Sequence, residues 1–189
     1  MNPLIQKFEK FGTVSLEAEL DFHKRIVRQV RKKGSFYLSE GQTSSGLFII
    51  EKGLVRMFYQ KGDKEINSLF ALENDVVTST RTFFFELPSK ENIQFLEDSI
   101  IYSISRRDLY ELCKLYPEIN TIERLATETY SLALEDRIFS LQTLTATERY
   151  EELVRDIPQI LQRVSLGHIA SYLGVTIETI SRIRKNKFT

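Results

Sequence analysis

The sequence predicts an α+β protein in which an antiparallel β jelly roll is followed by a long helix and a small helical C-terminal domain. Residues 34–104 contain six short β-rich runs separated by turn-forming residues, as in antiparallel sandwiches and jelly rolls. From residue 105 to residue 189 the apolar residues recur at spacings of three and four, which is typical of helices. The change of period near residue 105 separates the two kinds of structure.

The composition indicates a globular protein of the cytoplasm with no membrane partner. Apolar residues make up 42% and charged residues 28% of the chain, which are ordinary values. No apolar run approaches the roughly 20 residues of a membrane span, and residues 1–10 lack the layout of a signal peptide. The only cysteine, Cys113, excludes an intrachain disulfide and a four-cysteine metal or iron–sulfur site. We expect it to be a small buried apolar residue.

Residues 1–116 are assigned to one domain, the roll with its flanking helices. Apolar residues at helical spacing predict a helix over residues 1–33. The predicted strands follow at 36–38, 47–50, 54–59, 66–70, 93–96 and 100–104. The run Lys61-Gly-Asp63 predicts a hairpin turn between two of them. Ser105 is placed to cap a helix that ends before Pro117.

Residues 117–135 predict a long helix with a narrow apolar stripe. Such a stripe is typical of a seam between two helices, as in a two-stranded coiled coil. The alternative is that it packs against the roll of the same chain. We expect a homodimer interface formed by Ile119, Ile122, Leu125, Ala126, Thr129, Leu132 and Ala133.

Residues 136–189 form the third predicted domain, which contains a helix-turn-helix motif. Thr145 and Glu148 have the spacing of a capping box for one helix, which Pro158 ends. In the window that begins at Leu166, Ala170 falls where two helices touch and Gly174 falls at a turn that needs positive φ. The shared core of the two helices is predicted to be Ile169, Leu173, Val175, Ile180 and Ile183. The alternative is a helical hairpin that matches this pattern by chance.

The second helix of the motif has an outer face suited to double-stranded DNA. A recognition helix lays such a face in the major groove, where Arg182 would pair with guanine and Glu178 would accept from cytosine N4. Ile177 would either meet a thymine methyl group or belong to the core. The remaining predicted DNA-binding residues are Thr176, Thr179, Ser181, Arg184, Lys185 and Lys187, with Ser171 as a further candidate donor to phosphate.

The order of roll, long helix and helix-turn-helix resembles the Crp/Fnr family of bacterial transcription regulators. The resemblance is most specific in "IASYLGVTIETISRIRK", residues 169–185. In that family the recognition helix carries Glu-Thr and then an arginine, here Glu178, Thr179 and Arg182, whereas the family arginine before the glutamate is replaced by Ile177. The run from Glu148 to Thr176 resembles a short, Bacteroidetes-type subgroup.

The resemblance implies a cyclic-nucleotide-binding-like sensor roll and a homodimer that reads palindromic DNA. RNA polymerase and an unidentified small-molecule effector are the further partners that it allows. The family's phosphate cassette has Gly-Glu-Leu where this chain has Thr78-Ser79-Thr80, and its later arginine falls near Glu91-Asn92. An acid at that place would repel a phosphate, so we expect no tight binding of cyclic AMP.

Enzymatic function and a resident cofactor are not expected. The two histidines, His23 and His168, lie outside the predicted roll, so a haem or a cupin-type metal site is not expected. No nucleophile–base pair or phosphate-cradling glycine motif is present in the sequence. The alternative function is a ligand-binding sensor module whose DNA-binding domain is vestigial.

Overall fold

The computed structural model describes residues 12–44 and 46–187, which form two compact units. The roll unit comprises the described residues up to Met57 together with Phe70–Tyr130. The helix-turn-helix unit comprises Phe58–Leu69 and the described residues from Ser131 onward. The second unit therefore includes a short segment, Phe58–Leu69, that lies far from the rest of it in sequence. We call this segment the hairpin tip.

The described elements confirm the predicted α+β fold, with strands in the first half of the chain and helices in the second. The roll contains α1 (Leu16–Arg25), β1 (Val27–Arg31), β2 (Phe36–Leu38), β3 (Gly46–Lys52), β4 (Val55–Lys61), β5 (Lys64–Ala71), β6 (Val76–Val77), α2 (Thr80–Phe85), β7 (Asn92–Phe95) and β8 (Ser99–Ser105). The helices that follow are α3 (Arg106–Leu115), α4 (Pro117–Thr143), α5 (Ala146–Asp156), α6 (Ile160–Arg163), α7 (Leu166–Leu173) and α8 (Ile177–Lys187).

The strands form the two four-stranded sheets of a jelly roll. One sheet has the order β1-β8-β3-β6 and the other the order β2-β7-β4-β5. In the first sheet β8 pairs antiparallel with both β1 and β3, so that Ser103 lies opposite Val27 on one side and Phe48 on the other. Phe48 and Phe95 are completely buried between the sheets, with ring centroids 5.8 Å apart. Aromatic and β-branched side chains thus fill the interior, as the alternating runs predict.

The helix predicted over residues 1–33 is wrong beyond Arg25. Only Leu16–Arg25 is helical within the described part of this segment, and Val27–Arg31 is a strand paired with β8. Residues 1–11 lie outside the described residues. The sequence Val-Arg-Gln-Val-Arg fits a helical spacing as well as an edge strand, and the partner that decides between them lies about 70 residues later. Pairing with β8 overrides the local preference.

The start of α4 packs within the roll unit. Ile119 and Ile122 are 2% and 1% exposed and belong to one apolar cluster with Phe22 of α1 and Leu112 of α3. Cys113 is packed against the same cluster, and burial raises the pKa of its thiol to about 11. A thiol with a raised pKa holds little thiolate at neutral pH and is unreactive. These side chains therefore stabilise the roll unit itself.

The two helix caps predicted at Ser105 and Thr145 are present. The Ser105 hydroxyl accepts the N–H of Asp108 at 3.0 Å, and Thr145 and Glu148 form the reciprocal capping box. Between these caps α4 continues without a break through residues 134–137 and ends at Thr143, with a length of 27 residues. The residues Leu-Glu-Asp-Arg at 134–137 include no glycine or proline that would end a helix there. Within the described residues, no helix combines the length and apolar character needed to cross a bilayer.

Candidate nucleic-acid interface

The turn between α7 and α8 is built from local hydrogen bonds. Gly174 ends α7 with φ of +70°, a conformation that costs glycine little and other residues more. The N–H of Val175 then reaches back to the carbonyl of Ala170 at 3.0 Å. Thr176 caps α8, because its hydroxyl accepts the N–H of Thr179 at 3.3 Å. The two helices are thus joined by a turn of three residues, as in a helix-turn-helix.

The shared core of α7 and α8 forms as predicted at all but one position. The buried residues are Ile169, Ala170, Leu173, Ile180 and Ile183, while Val175 is only partly buried. Ala170 is 2% exposed, so its small side chain lies inside the helix contact. A larger residue there would force the two helices apart.

The outer face of α8 is exposed over its described length. Exposed side chains are those of Thr176, Ile177, Glu178, Ser181, Arg182 and Lys185, while Thr179 and Arg184 are partly buried. The backbone of Lys187 belongs to α8, and its side chain is outside the described part. One accessible surface of α8 is therefore formed by Ile177, Glu178, Ser181, Arg182 and Lys185, with Ile180 and Ile183 facing the opposite way.

Glu178 is held in its ionised form at the start of α8. Hydrogen bonds from its own backbone N–H and from the Thr176 hydroxyl lower the pKa of its carboxyl group. The positive end of the helix dipole favours the same charged state. An ionised carboxylate is only an acceptor, so at neutral pH this group offers the chemistry that the N4 amino group of cytosine requires.

Ser171 does not lie free for a phosphate, contrary to the sequence-based expectation. Its hydroxyl donates to the carbonyl of Glu65 at 2.6 Å and accepts the N–H of Asn67 at 3.0 Å. Both partners belong to the hairpin tip. Because one hydroxyl bonds two backbone groups of β5, it connects the hairpin tip to α7. Nothing in the sequence pattern marks this long-range pair, which is 104 residues apart.

Two arginines hold the next two residues of α7. Arg137 donates to the carbonyl of Tyr172 and stacks on its ring, with the guanidinium carbon 3.9 Å from the ring centroid. Arg149 donates to the carbonyl of Leu173 at 3.0 Å and to that of Leu144 at 2.5 Å. The last carbonyls of a helix carry partial negative charge and lack partners within the helix. The two cations satisfy them and tie α7 to α4 and α5.

Burial lowers the pKa of Arg137, yet an arginine remains charged at any ordinary pH. The sequence shows Arg137 and Arg149 only as charged residues on helices, which usually face water. In the structure they differ from solvent-facing arginines because each bonds a carbonyl at the end of α7, which is remote in sequence. We therefore assign to these arginines the role of positioning the motif, which the sequence analysis missed.

Replacing Arg149 with methionine is expected to lower the free energy of unfolding by about 3 kcal/mol, since two hydrogen bonds from a charged donor, each worth roughly 1.5–3 kcal/mol, are lost. Methionine keeps an apolar stem of similar length, so packing changes little. Denaturant titration followed by circular dichroism measures the change. Arg155→Met on the same helix is the control, because its ion pairs with Glu152 and Asp156 are exposed and worth less than about 1 kcal/mol. Equal losses in both variants would contradict the assigned role.

The predicted dimer stripe divides into two parts in the structure. Ile119 and Ile122 are buried in the roll unit and offer almost no surface to a partner. Leu125 and Ala126 are partly buried, and Thr129, Leu132 and Ala133 are exposed. Phe139, which is 59% exposed, lies seven residues after Leu132 and extends the same side of the helix. The sequence analysis missed Phe139 because it ended the long helix at residue 135.

In the segment that corresponds to the phosphate cassette, polar side chains form hydrogen bonds with backbone carbonyls of the same segment. Ser79 and Ser89 are buried, and the Ser89 hydroxyl donates to the carbonyl of Glu91 at 2.7 Å. Arg81 donates from Nε to the carbonyl of Pro88 at 2.9 Å on the surface. Among the described residues, no group of three or more His, Cys, Asp and Glu side chains is placed to hold a metal ion.

Comparison with known proteins finds one matching domain family and several proteins of similar sequence or fold. Residues 28–116 match the cyclic nucleotide-binding domain family. The fumarate and nitrate reduction regulatory protein of Yersinia pestis is 27% identical over 183 residues, which cover 88% of this chain and 72% of that protein.

Solved structures share the fold at low sequence identity. FixK2 from Bradyrhizobium japonicum has a TM-score of 0.74 and 19% identity, over 85% of this chain and 83% of that chain. The regulator CLP of Xanthomonas campestris has a TM-score of 0.72 and 16% identity, over 91% of both chains. The catabolite activator protein of Thermus thermophilus has a TM-score of 0.56 and 20% identity, over 98% of this chain and 86% of that chain. The chain therefore combines a match to the cyclic nucleotide-binding domain family with a fold shared by known regulators, and in both respects it is similar to Crp/Fnr-type transcription regulators.

Proposed function

We propose that the protein is a homodimeric cytoplasmic transcription regulator that reads a palindromic operator through α8 of each protomer. The observation that carries the proposal is the exposed outer face of α8, where Arg182 and Lys185 stand beside the ionised Glu178 on a motif with a packed core. Two such helices related by a twofold axis would read half-sites one helical turn apart, roughly 34 Å.

The exposed part of the α4 stripe supports a dimer. Leu125, Leu132 and Phe139 are spaced by seven residues, the repeat that keeps one side of a helix against a partner helix. Leu132 and Phe139 are 58% and 59% exposed in the single chain. Covering them with the same residues of a second copy would remove both from water, and we place the dimer seam there.

Any effector of the roll is proposed to be a molecule other than cyclic AMP. The family places a glycine, a glutamate and an arginine around the cyclic phosphate, whereas this chain offers buried serine hydroxyls and a surface Arg81 engaged with Pro88. Ser89, whose hydroxyl donates to the carbonyl of Glu91, and Glu91 itself supply no positive charge that would attract a phosphate. RNA polymerase is the further partner that a regulator of this family would engage.

Selection of duplex DNA from a random pool by the ligand-free protein at near-physiological salt tests the proposal. We expect a palindromic consensus with half-site centres about 10 base pairs apart and an affinity that falls steeply with salt. A variant with both Arg182→Glu and Lys185→Glu is the control and should enrich no sequence. Absence of any salt-dependent binding by the wild-type protein would favour the second candidate, a sensor module with a vestigial DNA-binding domain.

A further inference from the structure

Ile177 is an exposed apolar residue at the point where α8 would enter a DNA groove. It is the first residue of α8 and is 48% exposed, between the exposed polar residues Thr176 and Glu178. The core of the motif is completed by other residues, so the structure excludes Ile177 from it. Single exposed apolar side chains are common on proteins, and exposure alone assigns no role. The residues around Ile177 provide the second observation.

Gly167, near the start of α7, supports the end of the Ile177 side chain. A β-carbon built on Gly167 would lie 3.6 Å from Cδ1 of Ile177 and 4.0 Å from the Ser165 hydroxyl oxygen. The end of the isoleucine side chain therefore lies beside a residue that carries no side chain. Because isoleucine is branched at Cβ, few rotamers are available to it. The side chain therefore loses little rotamer freedom when it contacts a base.

We infer that Ile177 selects a thymine in each half-site by contact with its C5-methyl group. This inference rests on the proposed function and adds the base that one residue reads. In the major groove of unmodified DNA, thymine alone presents an apolar group, and the other bases present donors and acceptors. The first turn of a recognition helix supplies the residues that meet base edges. The acceptor Glu178 and the donor Arg182 on the same face are suited to the polar edges of neighbouring base pairs.

The test removes the methyl group and nothing else. In the operator obtained by selection, each thymine is replaced in turn, symmetrically in both half-sites, by deoxyuridine, which keeps every hydrogen-bonding group. Binding of the full-length protein is measured by fluorescence anisotropy. At one symmetric pair of positions we expect affinity to fall about fourfold per lost methyl, and roughly 15-fold for the pair. The Ile177→Ala variant should bind the thymine and deoxyuridine operators equally.

Two further arms separate methyl recognition from other effects. At the same positions, operators with cytosine and with 5-methylcytosine differ by the same methyl group, and the wild-type protein should prefer the methylated one while Ile177→Ala should not. Val30→Ala in the roll unit removes another exposed branched residue, 63% exposed, and should retain the full loss on deoxyuridine substitution. Thermal melting checks that both variants fold.

The outcomes distinguish this inference from the function on which it rests. A consensus operator without a methyl-sensitive position, or methyl sensitivity that persists in Ile177→Ala, overturns the role of Ile177 and leaves the regulator intact. If the wild-type protein enriches no duplex at all, the proposed function itself fails. Loss of methyl sensitivity in Ile177→Ala but not in Val30→Ala establishes the contact.

Discussion

Replacing Arg182 with alanine is expected to weaken operator binding by the dimer roughly 30-fold to 10⁴-fold, since a bidentate arginine–guanine contact is worth about 1–3 kcal/mol in each half-site. Arg182 is exposed on the outer face of α8, and no ion pair within the described part of the chain occupies its guanidinium. Its donors are therefore available to a base. Affinity for non-operator DNA should change little in comparison. Anisotropy titrations with operator and scrambled duplexes measure both.

Lys185→Ala is the matched control for Arg182→Ala. Lys185 lies on the same exposed face, three residues along α8, and is expected to contact phosphate. Its loss should weaken operator and scrambled duplex by the same factor and reduce the salt dependence by about one unit of slope per protomer. If Arg182→Ala behaves in this uniform way too, Arg182 contacts phosphate and the assigned base contact is wrong.

The second large effect is expected from Leu132→Glu, which should raise the dissociation constant of the dimer at least about 100-fold. Burial of a leucine contributes about 1.5–3 kcal/mol, and the symmetric seam loses one from each protomer. The substitution also sets two like charges close together in an apolar contact. Analytical ultracentrifugation across a concentration series measures the shift. Operator binding at low protein concentration should fall in parallel, because a monomer holds only one half-site.

Leu134→Glu serves as the control on the same helix. Leu134 is 46% exposed but lies about 200° around the helix from Leu132, at 100° per residue. It should leave the dimer intact. Circular dichroism should show both variants folded, since each leucine is already exposed in the single chain. A stable dimer with glutamate at position 132, or equal dissociation by both variants, would remove the seam from this side of α4.

The features that the sequence predicted well are those determined by near neighbours. Gly174 and Ala170 fit only a tight turn and a close helix contact, and the Thr145–Glu148 pair marks a helix start within four residues. The strand at Val27–Arg31 was missed because the pairing that determines it lies in β8. A segment of five residues with only two valines does not distinguish the period of a strand, which is two, from that of a helix, which is 3.6.

The contacts that position the candidate interface could not be predicted in the same way. Arg137 and Arg149 act on carbonyls 35 and 24 residues away in sequence, and the sequence does not show which helix carbonyls need a partner. In the sequence, Ser171 is a short polar residue on a helix, which suggests a donor to phosphate. Only the structure shows that its hydroxyl bonds the hairpin tip instead. Composition and spacing identify the type of residue, whereas the fold decides which group it meets.

The hairpin tip has a consequence for any transfer of the candidate interface from this protein to a relative. The unit that carries α8 is discontinuous in sequence, because Phe58–Leu69 belongs to it as well as the residues after Ser131. A graft that begins at residue 131 would bring Ser171 without the backbone groups of Glu65 and Asn67 that it bonds. Two segments must therefore be transplanted together for α7 to keep the contacts it has in this chain.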